Sequence, residues 1–196
     1  MKPGKNRDEL CYSFIYDVSW LTDYEVVTNE LCNQVGGIYS QLARDTSMAD
    51  IAADLDRLQP LVFHANGSIR GRLAIEEADV AWLQSRLDHY RDALQGKVAG
   101  FVLPRGDAPV PELFSAISSA KQAIRHMVRI EKEFERDLEQ GGKLREISPL
   151  LPRFCNLMGN FFFALALTVN HRRGVVEVPF ESKSYTIRHP QEKMAA

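Results

Sequence analysis

Asn156-Leu157-Met158-Gly159-Asn160-Phe161-Phe162-Phe163-Ala164-Leu165-Ala166-Leu167-Thr168-Val169 is the stretch on which the fold turns. On a helix, at about 100° per residue, Leu157, Met158, Phe161, Phe162, Phe163, Leu165, Leu167 and Val169 come round to nearly every side. A helix so apolar has to be covered all round. Either it lies at the centre of a bundle or a subunit interface completes its cover, so an oligomer is expected. The helix should run from about Pro152 to His171, with Gly174 as its stop. Its richest apolar run, Asn160 to Val169, is short against the roughly 20 residues that cross a bilayer. No membrane partner is expected.

The sequence before it is also helical in pattern. A first helix is predicted from about Thr22 to Arg44, with Val26, Leu31, Val35, Ile38 and Leu42 along one stripe. Gly36-Gly37 weakens it and suggests close contact with a neighbouring backbone. Ser47 is the candidate N-cap of a second helix whose Met48, Ile51, Leu55 and Leu58 face inward. Pro60 should kink or interrupt that helix, and Asn66-Gly67 should close it. A third spans about Ile75 to Leu94, with Val80, Leu83, Leu87 and Tyr90 inward and Glu76 and Glu77 in its first turn. The clearest loop is Gln95 to Pro111, and a fourth helix from Pro111 to Glu139 ends at Gly141-Gly142. Val175-Val176-Glu177-Val178 reads as a short extended segment leading into a polar tail. No strand series appears. The reading is all-α, a five-helix up-down bundle.

Composition narrows the class further. The chain has 196 residues, 45% hydrophobic and 26% charged, which suits one domain with one sizeable core. Its 24 basic and 26 acidic residues give a net charge of −2, so there is no global attraction for nucleic acid or an anionic membrane. Cys11, Cys32 and Cys155 are scattered and odd in number, as in a reducing compartment with reduced, structural thiols. The charged start, Met1 to Glu9, has no apolar stretch of signal-peptide type. A soluble, cytoplasmic protein is expected.

Common chemical signatures are missing: no GxxxxGK[ST], no GxGxxG after a strand and no HExxH. His64, His89, His126, His171 and His189 stand singly, so no metal site is read. Ser118-Ser119 ahead of Lys121 reads as small residues for helix packing. The run Arg129 to Asp137 reads as a solvated face with pairs such as Arg129 with Glu133. His171-Arg172-Arg173 suits the negative end of the fifth helix, with phosphate binding as the alternative.

Three stretches, taken together, carry a resemblance. They are Asn29-Glu30-Leu31-Cys32-Asn33-Gln34-Val35-Gly36; Phe101-Val102-Leu103-Pro104-Arg105-Gly106-Asp107 with Leu113-Phe114-Ser115-Ala116; and Asn156 through Asn170. In order they resemble the D-E-L-N-x-x-I-G, F-x-L-P-G-G…L-H-x-A-R-x-x-x-R-R-A-E-R and N-R-L-S-D-x-x-F-x-x-A-R-x-x-N patterns of PduO-type ATP:cob(I)alamin adenosyltransferases. The resemblance covers about residues 22 to 172 and implies a trimer of cobalamin adenosyltransferase-like bundles. It divides the chain into an N-terminal segment, 1–21, a bundle, 22–174, and a tail, 175–196.

What the resemblance implies about the site is mixed. Phe101 falls on the aromatic that packs beside the lower face of the corrin. Phe163 falls on an aromatic of the same cofactor region, and Asn156 on an Asn that contacts nucleotide. Glu30 and Arg125 also match. The charged positions mostly fail: the family's catalytic Arg falls on Ile117, and the Asp expected to pair with it falls on Asn29. The following Arg-Arg becomes Lys121-Gln122, the next Glu becomes Ile124, and two further Arg positions hold Leu157 and Leu167. The T-x-x-G-D-x-G triphosphate loop has no counterpart in Met1 to Leu21. Expelling triphosphate needs cations and oriented N–H donors at the phosphates.

Three readings stay open. One is a binder of cobalamin (a corrinoid) or a similar planar ligand with weak or absent ATP-dependent transfer, its ligand held by Phe101, Phe163, Asn156, Glu30, Lys121 and Arg125. The second is an active ATP:cob(I)alamin adenosyltransferase using ATP and magnesium, in which Lys121, Lys97, Arg105 and Arg125 compensate from new positions. The third is a trimeric interaction or scaffold protein with a filled pocket.

Overall fold

The computed structural model describes residues 4, 6–95, 97 and 100–184. Residues 185–196 of the expected tail, and residues 96, 98 and 99 of the long loop, lie outside the described residues. Among the described residues five α-helices form the bundle: α1 Trp20–Leu42, α2 Ala49–Ser68, α3 Glu77–Ala93, α4 Val110–Glu139 and α5 Leu150–Arg172. Among the described residues there is no strand, only one antiparallel bridge, Val102 with Pro179.

Helix α4 packs between α1 and α5, α1 also packs on α2, and α3 packs on α5. Cross-contacts fix the directions. Tyr24 at the start of α1 donates to the Ala65 carbonyl at the end of α2 (3.1 Å), so these two run antiparallel. Ser19 and Trp20 meet Glu133 near the end of α4, and Phe114 near the start of α4 meets Phe163 late in α5. Glu77 and Arg153 join the starts of α3 and α5, which run parallel. These directions make the chain an up-down bundle.

The inward stripes are mostly as the spacing predicts. Leu31, Val35, Ile38 and Leu42 are buried on α1, Met48, Ile51, Leu55 and Leu58 ahead of and along α2, and Val80, Leu83, Leu87 and Tyr90 on α3. Val26 is a correction: it is 48% exposed, and Val27 takes its place. Steps of three and four from Leu42 back to Val27 stay on one face, whereas Val26 is five residues from Leu31 and turns away.

Several other local expectations give way to tertiary contacts. Glu133 does not pair with Arg129. Its carboxylate accepts from Ser19 Oγ (2.6 Å) and the Trp20 amide (3.0 Å), at the positive end of α1. Arg129 lies instead over the Trp20 ring, 4.2 Å from its centre. Ser47 does not cap α2; Asp45 accepts from its amide and hydroxyl and caps the short 3-10 turn Thr46–Met48 that precedes the helix. Pro60 neither breaks nor interrupts α2, which continues to Ser68 with the proline on its exposed side. Gly36 faces the Gln59 side chain and not a backbone, and nothing lies close to Gly37.

Helix α5 buries most of its residues, chiefly against α4 and α3. Phe161, Phe162, Leu165 and Ala166 are fully buried. The short apolar run understated this helix: a window of 18 residues reaches a mean hydropathy of 1.4, enough by length and composition to cross a membrane. Neighbouring helices bury much of that window, as they do a core helix. Its cover is incomplete on one side, where Arg153, Asn156 and Asn160 are exposed and Leu157 and Phe163 are half-buried. Polar bridges join the other helices. Asp54 on α2 accepts from Arg86 Nε with both oxygens (2.9 and 2.8 Å) and from the Tyr90 hydroxyl (2.6 Å). Arg172 closes on Asp50 with a two-toothed pair (2.6 and 2.7 Å).

Candidate functional site

The loop ahead of α4 carries Phe101, and extended backbone on both sides makes it a two-stranded contact. The Leu103 amide donates to the Val178 carbonyl (2.8 Å), and the Phe180 amide donates to the Phe101 carbonyl (2.8 Å). The segment read as extended at 175–178 therefore becomes a strap across this loop. Phe101 itself projects outward with 59% of its surface exposed, on a backbone held at two points.

Behind the strap lies a cavity of about 410 Å³, lined by Lys97, Val102, His171, Val176, Glu177 and Pro179 among others. Phe101 is not part of its wall, since Val102 turns there instead. The Glu177 carboxyl is half-buried, and burial pushes it above its ordinary range despite a hydrogen bond from Asn170. Gly106 has φ +150°, and a Cβ there would stand 2.3 Å from Asn170 Oδ1 and 2.8 Å from Val110 Cγ1. The close approach of loop and α5 requires glycine at this point.

The other candidates lie along three adjoining helices with α4 in the middle. Glu30 is exposed on α1, Lys121 and Arg125 are exposed on α4, and Asn156 is exposed on α5 with its amide turned back to the Pro152 carbonyl (2.7 Å). Phe163 is half-buried, edge-on to Phe114 with ring centres 6.2 Å apart. The fold thus places Lys121, Arg125, Asn156 and Phe163 on two packed helices. No ring contact joins Phe101 to Phe163 among the described residues.

The cations separate into two groups. Arg153 is paired with Glu77, Arg172 with Asp50, Arg173 with Asp45 and the Ala108 carbonyl, and Arg129 with Trp20. The phosphate-binding alternative for Arg172 and Arg173 is thereby weakened, because both are already engaged. Lys121 and Arg125 have no acidic partner within ion-pair distance among the described residues. Ile117 is 8% exposed in the same helix, and Leu157 is half-buried opposite. The Ser118 and Ser119 hydroxyls bond back to carbonyls of their own helix; Ser119 is buried, as a packing residue is, whereas Ser118 is exposed.

At the opposite end of the bundle the N-terminal segment is tied down by a group the sequence did not disclose. The Tyr12 hydroxyl donates to the Glu25 carboxylate, which also receives Arg70 Nε and Nη2 at 2.6 Å each. The Arg70 guanidinium lies 3.8 Å above the Phe14 ring. No glycine occurs between Asp8 and Val18, so this stretch lacks the backbone freedom of a phosphate-cradling loop. Among the described residues no three His, Cys, Asp or Glu side chains gather as metal ligands.

Comparison with known proteins brings this geometry into context. The family model described as cobalamin adenosyltransferase matches residues 27–169. The corrinoid adenosyltransferase of Bacillus subtilis (strain 168) is 26% identical over 165 residues, covering 82% of this chain and 79% of the relative. Among solved structures, a variant PduO-type ATP:corrinoid adenosyltransferase from Lactobacillus reuteri complexed with ATP superposes with a TM-score of 0.71 at 20% identity, over 85% of this chain and 90% of that one. A second variant of that type from Lactobacillus reuteri, complexed with cobalamin and ATP, gives 0.70 at 20% identity over 86% of this chain and 87% of that one.

Proposed function

Because the chain belongs to the cobalamin adenosyltransferase family, we propose that it binds a corrinoid against Phe101 and transfers adenosyl from ATP weakly or not at all. The observation that carries the binding half is the exposed Phe101 ring on a backbone held by the Val178 and Phe180 bonds. The ring offers a corrin face an apolar surface that is already oriented. Phe163 and Asn156 on α5 are assigned to the same ligand and its nucleotide neighbour, with Lys121 and Arg125 on the adjoining α4 and Glu30 on α1 beyond it. The protein acts as a homotrimer in the cytoplasm, with the half-covered face of α5 toward a second copy.

The charge inventory carries the other half. Departure of triphosphate concentrates negative charge that must be met by cations and N–H donors already in place. Ile117, Ile124, Leu157 and Leu167 stand where the resemblance implies charged groups, and none of them can meet a phosphate. A single missing contact of this kind commonly costs about 2.7–4 kcal/mol in the transition state. The Tyr12–Glu25–Arg70 group holds the N-terminal segment on its own bundle end, and the stretch from Asp8 to Val18 has no glycine with which to wrap a phosphate chain.

One observation favours the active reading. Lys121 and Arg125 are exposed, one turn apart and unpaired among the described residues, so two positive charges remain available to a polyphosphate. Titration of the purified protein with cobalamin, followed in the Soret region, tests the binding half. A spectral change saturating at stoichiometric ligand is expected, and none at high concentration refutes it. Incubation with reduced cobalamin, ATP and magnesium tests the second half: turnover at the rate of an ordinary family enzyme overturns the claim of weak transfer.

A further inference from the structure

Asn170 stands in the last turn of α5 with only 1% of its surface exposed. Its two amide hydrogens go to different places: one to the Arg105 carbonyl in the loop before α4 (2.8 Å), one to Glu177 Oε1 in the strap (3.0 Å). Its backbone carbonyl receives the Val175 amide (2.9 Å), which starts the strap on its path back to the loop. Its Oδ1 lies against Gly106, in the space a Cβ would fill. One side chain therefore joins α5, the Phe101 loop and the C-terminal segment.

Beyond that junction, two backbone hydrogen bonds hold the strap to the loop. An isolated two-stranded pairing this short is marginal in water. Something else has to hold the segments in register, and the Asn170 amide with the Glu177 carboxylate is in the right place to do so. Glu177 has no ion-pair partner among the described residues, and its half-buried carboxylate accepts from the Asn170 amide. A carboxylate desolvated without a cation is unfavourable unless a hydrogen bond uses it.

We propose that Asn170 and Glu177 are positioning residues for Phe101, forming a latch that fixes the strap and, through it, the loop that presents the ring. The proposal rests on the corrinoid-binding reading above. Neither residue touches the ligand; both act through Phe101.

The test uses the full chain, cobalamin as probe, and amide hydrogen exchange at Leu103 and Phe180 as a readout that needs no ligand. Glu177→Ala is expected to speed exchange of both amides at least tenfold and to raise the Kd for cobalamin at least fivefold. Glu177→Gln keeps a carbonyl acceptor for Asn170 and should stay within twofold of the parent in both. In a Phe101→Ala background, Glu177→Ala should change affinity less than twofold further. Asn170→Ala should follow Glu177→Ala, which carries the test alone if the buried substitution prevents folding. Unchanged exchange in Glu177→Ala overturns the latch. So does unchanged affinity in a protein whose Phe101→Ala variant binds poorly, or an equal loss in Glu177→Gln. No spectral change with the parent protein overturns the corrinoid reading and the latch together, so the two failures are told apart.

Discussion

Replacing Phe101 by alanine separates binding from folding. The residue is 59% exposed and lies outside the buried core cluster. A phenylalanine side chain offers about 150–250 Å² of surface, so about 90–150 Å² of this one is free to be covered by a ligand. At about 25 cal/mol per Å², covering it is worth about 2–4 kcal/mol, on the order of 100-fold in Kd. The backbone bonds from Leu103 and Phe180 do not involve the ring and survive the change. Folding stability should therefore move by about 1 kcal/mol or less, a few degrees in Tm. The assay is a Soret-region titration with cobalamin beside a thermal melt. A variant that binds within threefold of the parent refutes the ring as platform, whatever its melting behaviour.

Other outcomes follow from the same geometry. Asp54→Ala leaves Arg86 and the buried Tyr90 hydroxyl without their acceptor. Breaking such a pair costs about 3–5 kcal/mol when fully buried, and about 3 kcal/mol here, where the arginine side chain is a quarter exposed (25%). That corresponds to roughly 6–12 °C in Tm, and a fall below about 2 °C contradicts it. Introducing Asn29→Asp with Ile117→Arg restores the charged pair that the family resemblance implies. Adenosyl transfer should rise on the order of 100-fold, and an unchanged rate would falsify the charge-deficit account. Glu177→Gln tests a pH effect. The folded protein raises the Glu177 pKa, so it favours the protonated form and is penalised when the group is ionised. The variant should be more stable than the parent at pH 7 and no different well below pH 4, by denaturant unfolding at both; the opposite trend removes burial as the dominant cause.

Much of the architecture was legible in the chain because helices write their burial as a local period. Leu31 to Leu42, Met48 to Leu58 and Val80 to Tyr90 each marked an inward face, and the apolar fifth helix announced that it must be covered on nearly every side, by its own bundle or by a second copy. Phe101 was legible only through the order of three weak motifs, since a lone loop aromatic has no period. The tertiary structure decided everything that joins distant residues. Glu133 read as half of a solvated pair until α1 brought its N-terminus within reach, and Arg70 gave no sign of Glu25 or of Phe14. Asn170 was visible as the end of a motif, but not that its two hydrogens tie Arg105 to Glu177. A single hydrogen bond between residues tens of positions apart leaves no trace in spacing, because either partner alone is an ordinary polar residue on a surface. Only the packed bundle, by removing water from around them, makes each the other's necessary partner.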